Sequence, residues 1–349
     1  MTAAPLSIDF VFTGGTDRAA SAAALAEERG VDGFLTHEIK HDPLIQLALA
    51  AQSTGRIDLA TAVTIAFART PMTLATSAYD VQRLSGGRLT IGLGSQIKPH
   101  ITRRYGMEWS RPAARMREFA GALRAIWHSW ETGDKLDFRG DFYTHTLMTP
   151  TFDPGPVASG PPRIWIAGVG PMMTAVAGQA ADGLICHAFT TTDYLRQVTL
   201  PALGAARAKA EADGERRAGL PLDVVCTSLV ATGRTEEEYE ASLTTVRERI
   251  AFYASTPAYR AVLDLHGWGE LHESLHRLST EGRWQEMGLL IEDDVLNTFA
   301  VTGEPAVAGR ELRKRFDGLC TRVTCSVDND PDGTLALDVL EAARSLTPA

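Results

Sequence analysis

The chain has 349 residues, 44% of them hydrophobic and 22% charged, with a formal net charge of −9. These proportions exclude a disordered, collagen-like or low-complexity chain, and the acidic balance without a basic tail argues against nucleic acid or an anionic membrane as the main partner. No apolar run approaches the roughly 18 residues of a membrane span, and the opening Met1-Thr2-Ala3-Ala4-Pro5 lacks the basic-then-apolar pattern of a signal peptide, so a cytoplasmic protein is expected. Cys186, Cys226, Cys320 and Cys325 form no CxxC pair and are read as reduced thiols.

Residues 6–12 alternate with a period near two and are followed by Gly14-Gly15, a strand and a turn. An alanine-rich helix over 16–29 ends at Gly30. The rhythm then repeats: strand 31–36; helix 44–54, opened by Pro43 and closed by Gly55; strand 57–63; helix 72–84, opened by Pro71; strand 88–93. A long helix is predicted over 111–130, a small hairpin within 138–143 and irregular chain over 149–162. Strands follow at 163–167, 183–187, 223–231 and 321–327, with helices at 172–181, 193–213, 305–316 and 335–345. The segment 235–300 reads as a helical insertion, with pieces at 236–252, 257–265 and 284–290.

Eight βα units predict an α/β chain folded as a TIM (β/α)8 barrel with helical insertions at about 96–160 and 235–300, one domain spanning 1–349; a doubly wound open sheet is the alternative. In such a barrel the chemistry sits at the C-terminal strand ends. There the sequence places His37, Glu38 and His41 after the second strand, Ser95, Gln96 and His100 after the fourth, Gly168-Val169-Gly170 after the fifth and His187 after the sixth. Thr61, Ala62 and Val63 end the third strand, small enough for a flat ring to approach. His37 and His41 are four apart beside Glu38 and Asp42, but Pro43 denies them a common helical face, so no metal site is expected. Backbone N–H groups after Gly168-Val169-Gly170 suit a phosphate, although the full GxGxxG and the P-loop lysine are absent. Lys98, Arg103 and Arg104 are candidates for an anionic tail, and Phe67, Tyr105 and Trp109 for a substrate wall.

The stretches Ala60-Thr61-Ala62-Val63, Arg69-Thr70-Pro71, Leu84-Ser85-Gly86-Gly87-Arg88 running into Gly92-Leu93-Gly94-Ser95, and Pro162 through Pro171 resemble the luciferase-like monooxygenase superfamily, in its coenzyme F420-dependent oxidoreductase branch. The resemblance implies a luciferase-like barrel with a cofactor across the strand tips and a homodimer. It also implies a non-prolyl cis peptide at Ala62–Val63 and a proton donor or acceptor at Glu38, with His37 and His41 as alternatives. Ser95 and Gln96 match the contacts to ring and ribityl chain, and Gly168, Val169, Gly170 and Met172 match the phosphate loop; His100 and His187 complete the candidate cofactor contacts. The loop after the second strand departs from the sugar-phosphate dehydrogenases of the family, holding Glu38 and Asp42 at their His and Trp positions. The function expected is hydride transfer between a deazaflavin and a small organic substrate, with an FMN-dependent monooxygenase and a non-catalytic ligand-binding barrel as alternatives.

Overall fold

The computed structural model describes residues 5–215, 218–328 and 330–345. Eight parallel strands form the wall: β1 Ser7–Phe12, β2 Gly33–Thr36, β3 Asp58–Thr61, β4 Leu89–Gly94, β5 Arg163–Gly168, β6 Gly183–Cys186, β7 Asp223–Ala231 and β8 Arg322–Val327. Each pairs with the next, and β8 pairs with β1 through Ser7↔Arg322 and Ile8↔Val323. That last pairing closes the barrel and removes the open-sheet alternative. Short apolar strands with both faces covered are what a parallel sheet requires.

Local chemistry sets the helix starts. The Asp42 carboxylate accepts from the N–H groups of Leu44 (2.9 Å) and Ile45, capping Pro43–Ser53. Thr70 caps Pro71–Ser85, which ends at Gly86 in the left-handed conformation, φ 67°. In both helices Pro occupies the first turn, where a missing N–H costs nothing. The Arg88 guanidinium that follows donates to the carbonyls of Ile57 (2.7 Å) and Thr54 (2.9 Å). The most family-specific motif therefore staples the N-terminal rim of the barrel, opposite the expected chemistry.

The barrel interior is filled by Leu35, Ala60, Trp165, Ile185 and Val225. Trp165 needs the glycine at 183, where a Cβ would lie 2.4 Å from its ring. Beneath it lies the Arg322 guanidinium, 5.7 Å from the ring centroid and doubly bonded to the fully buried Asp9 carboxylate at 2.7 Å on both oxygens. This plug leaves the opposite, C-terminal end for the site.

Differences from the sequence reading are local. The hairpin pairs Phe138–Arg139 with Thr144–His145, so 140–143 are its turn. The helix expected over 193–213 starts with one turn and a π-type segment before Leu200–Ala212. Within the insertion, helices Gly269–Thr280 and Asp293–Phe299 and a strand Ala300–Thr302 were not individually anticipated. That strand pairs with the upper half of β7, Leu229↔Ala300 to Ala231↔Thr302. The insertion buries its own cluster, including Val246, Ile250, Leu275 and Phe299, which reaches the barrel at Phe189 and Leu229. The four cysteines are buried free thiols, and no described helix is long and apolar enough to cross a membrane.

Candidate functional site

The third strand was expected to run through Val63. It stops at Thr61, bulges through a cis Ala62–Val63 peptide and resumes as a two-residue strand, Thr64–Ile65, beside Leu93 and Gly94. The bulge stays tied to β2: Ala62 N–H donates to Thr36 O (2.7 Å), and Glu38 N–H donates to Val63 O (3.0 Å). Glycines on β4 make room for it. A Cβ on Gly94 would sit 2.4 Å from Val63 Cγ2, and one on Gly92 would sit 2.0 Å from the Thr61 carbonyl oxygen. Thr61, an expected cofactor contact, is fully buried, and its hydroxyl both donates to Gly92 O (2.8 Å) and accepts from Gly92 N–H (2.9 Å). Its side chain therefore laces two strands together. Ala62 and Val63 are half-buried, and the neighbouring Thr64 Oγ1 is buried without a hydrogen-bond partner among the described residues.

Glu38, expected as the leading acid or base, is engaged on both oxygens. Oε1 accepts from the Arg69 guanidinium (2.9 Å) and Oε2 from the Ile65 N–H (2.8 Å). The same Arg69 nitrogen donates to Asp42 (2.8 Å), which caps the next helix. One arginine thus fixes the loop after β2 against the segment after the bulge. This role of Arg69 escaped the sequence reading, because partners 27 and 31 residues apart carry no local periodicity. His41 is exposed on the same loop.

Beside this loop opens a cleft of about 820 Å³ between the tips of β1, β2 and β8 and the helix Glu236–Ala254. Phe12, His37, Arg249, Tyr253, Ser326 and Asp328 line it. Arg249 donates to Ser326 Oγ (2.7 Å) and pairs with Asp328. Burial lowers the His37 pKa from its ordinary 6.5, so the ring is neutral at pH 7. A larger hollow, about 930 Å³, lies between Pro112–Thr132, the hairpin and Pro171–Ala180, away from the strand tips.

His187 does not stand free at the mouth. Its ring stacks on Tyr259 with centroids 4.8 Å apart and meets the edge of Tyr253 at 4.8 Å. Nδ1 accepts from Phe189 N–H (3.0 Å), so Nε2 carries the proton and donates to Tyr259 OH (3.2 Å). Burial pushes its pKa down to about 4. The folded state thus refuses a proton that the unfolded chain takes up below pH 6.5, and stability falls as pH drops from 6.5 to 4. His187→Gln is expected to remove from that acid slope a contribution on the order of 3 kcal/mol. Urea midpoints at pH 7 and pH 4 in both proteins check this, and an unchanged profile would refute it.

After β5, the chain turns through Gly168-Val169-Gly170 into Pro171–Ala180. Gly168 allows close packing, since a Cβ there would lie 3.2 Å from Thr174 N, whereas Gly170 has open space beside it. The first intrahelical bond from this start is Thr174 N–H to Gly170 O (3.1 Å), and the N–H groups of Met172 and Met173 precede it. Met172 is 74% exposed, beside the exposed Val169. Ser95 and Gln96 follow β4 half-buried, with Gln96 in the left-handed region at φ 56°. His100, Lys98, Arg103 and Arg104 are exposed, Arg104 donating to Ile39 O (2.9 Å). Phe67, expected on a substrate wall, is fully buried against Trp109, and Tyr105 and Trp109 pack on the core. Bulge, glycine turn and cleft thus share the C-terminal face.

The profile of the luciferase-like monooxygenase family matches residues 11–321, and the chain belongs to that family. An uncharacterised protein of Mycobacterium tuberculosis is 49% identical over 306 residues, covering 88% of each chain. An F420-dependent glucose-6-phosphate dehydrogenase of Nocardia farcinica is 32% identical over 203 residues, 54% of this chain and 58% of the relative. The structure of the coenzyme F420-dependent tetrahydromethanopterin reductase of Methanopyrus kandleri superposes with a TM-score of 0.73, covering 97% of each chain at 20% identity. Monooxygenases share the fold as well, one solved in complex with FMN.

Proposed function

We propose that the chain is a coenzyme F420-dependent oxidoreductase, a cytoplasmic homodimer acting on a small organic molecule. The observation that carries the reading is the pairing, on one barrel face, of the glycine turn at 168–170 with the small-residue bulge at 62–63 packed on Gly94. The residues fit such a cofactor. Gly168, Val169, Gly170 and Met172 offer backbone N–H groups to phosphate at a helix start, and the unpartnered Thr64 hydroxyl lies next to the bulge. Ala62, Val63, Ser95 and Gln96 would flank the ring, with His100 and His187 on the loops after the fourth and sixth strands. When bound, a deazaflavin supplies two-electron hydride chemistry.

The chain's own part is to orient, to exclude water and to move a proton. His37 faces the cleft and is neutral at pH 7, the form that accepts a proton. In this reading His37 takes the acid–base role first assigned to Glu38, while Glu38 positions the loop through Arg69, and His41 stands exposed on the outside of that loop. The reading is tested by titrating the purified protein with F420 and with FMN while following cofactor fluorescence. Saturable binding of F420 with at least tenfold weaker FMN binding is expected. Tight FMN binding without F420 binding would replace the reading with an FMN-dependent monooxygenase, and binding of neither would leave a non-catalytic barrel.

A further inference from the structure

The insertion helix Glu236–Ala254 brings Arg249 and Tyr253, four residues apart and so on one helix face, to the cleft lined by His37. Arg249 is spent on the tip of β8, where it donates to Ser326 Oγ (2.7 Å) and pairs with Asp328. Tyr253 is held differently. Its ring is gripped by His187 at 4.8 Å and 89°, by Tyr259 at 5.8 Å and 72°, and by Phe189 at 5.9 Å. His187 and Tyr259 are themselves hydrogen-bonded at 3.2 Å, so the grip closes on itself. The Tyr253 hydroxyl has no hydrogen-bond partner among the described residues and keeps solvent-accessible surface, and the same is true of both ring nitrogens of His37. The hydroxyls of Tyr79, Tyr143 and Tyr259, by contrast, all meet protein partners. A phenol fixed by its ring and open at its oxygen has its donor free for a ligand.

The charges around the cleft decide what that ligand carries. Arg249 and Asp328 neutralise each other, Asp330 accepts from the Ala336 N–H (2.7 Å), and Lys40 and His41 stand exposed to water. No buried cation is left over for a phosphate or carboxylate, and both carboxylates already have donors, so an ion seated there would lose its hydration without gaining a counter-ion. We propose that Tyr253 sets the specificity of this cleft: its hydroxyl donates to an oxygen of an uncharged organic ligand whose apolar part lies against Phe12 and Ile39. That this ligand is the substrate rests on the oxidoreductase reading; its capture by Tyr253 does not.

The test uses three probes that share one six-membered ring and differ in the head: cyclohexanone, cyclohexanecarboxylate and cyclohexylammonium. Each is titrated into the full chain at pH 7, and binding is read from the broadening of its proton NMR signals. Cyclohexanone is expected to bind saturably and the two ions at least tenfold more weakly. Tyr253→Phe keeps the ring and its grip and removes only the oxygen; it is expected to weaken cyclohexanone about fivefold with the unfolding midpoint unchanged. Tyr239→Phe, on the same helix but outside the cleft lining, is expected to bind like the wild type. Failure of cyclohexanone to bind, equal binding of either ion, undiminished binding by Tyr253→Phe, or an equal loss in Tyr239→Phe overturns the inference. A lowered midpoint in Tyr253→Phe also overturns it, because the hydroxyl would then have a partner within the fold. F420 titration of the same preparations separates the two ideas. Any of these failures with F420 binding intact sinks only this inference, and tyrosine-dependent cyclohexanone binding without F420 binding sinks only the oxidoreductase reading.

Discussion

Arg322→Met is expected to lower the free energy of unfolding by about 3–5 kcal/mol, measured by urea denaturation at pH 7. The reason is what it leaves behind. Asp9 is fully buried on β1, and burial pushes its pKa up while the Arg322 guanidinium holds it down. Without that guanidinium the carboxylate is an unpaired charge inside the barrel floor. The exposed Asp58, also bonded to Arg322 at 2.9 Å, offers no substitute cation. Linkage fixes the pH dependence. A carboxyl whose folded pKa lies above its unfolded value takes up protons preferentially in the fold, so its destabilising effect shrinks as pH falls. The deficit of the variant is therefore smaller at pH 4 than at pH 7. Adding Asp9→Leu to the variant should return most of the loss, because a well-packed apolar pair commonly matches a buried ion pair. A loss below about 1 kcal/mol, the range of exposed pairs, would show that water reaches the barrel floor.

Gly92→Ala is the second. The new Cβ would meet the Thr61 carbonyl oxygen at 2.0 Å and Ile185 Cδ1 at 2.7 Å. A side chain such as Ile185 can turn aside, but a strand carbonyl cannot, so β3 and β4 must separate. Overpacking of this kind costs about 1–3 kcal/mol, and here it also breaks the Thr61 hydroxyl bridge to Gly92. Because the Ala62–Val63 bulge follows directly, the F420 binding proposed above should weaken at least tenfold as well. Gly204→Ala is the control: no atom lies within 4 Å of its Cβ position in Leu200–Ala212, and an open helical glycine should gain about 0.5–1 kcal/mol on replacement. Wild-type stability and affinity in Gly92→Ala would mean that the two strands tolerate a wider spacing.

The barrel was legible because its strands are short apolar runs bounded by Gly and Pro, and because Pro43, Pro71 and Pro305 stand at helix starts. The helix Gly269–Thr280 was missed although Leu271, Leu275 and Leu278 have helical spacing; no capping side chain announces it, and the stretch is dominated by His, Glu and Ser. In the site, the glycine turn and the bulge were readable from the family resemblance. The state of Glu38 was not. Its strand-end position was clear, but its partners Arg69 and the Ile65 N–H come from another unit of the fold. Arg322 and Asp9 lie 313 residues apart, and only closure of the barrel makes them neighbours. Charges that meet through topology leave no mark on local sequence.

The strand Ala300–Thr302 has a consequence for traffic through the enzyme. Hydrogen-bonded in parallel to the last residues of β7, it welds the inserted helices to the wall at their far end as well as at their origin. A roof fastened at both eaves cannot swing like a door. The cleft lined by Phe12, His37 and Ser326 lies between the first and last staves, under the eave that carries Arg249 and Tyr253.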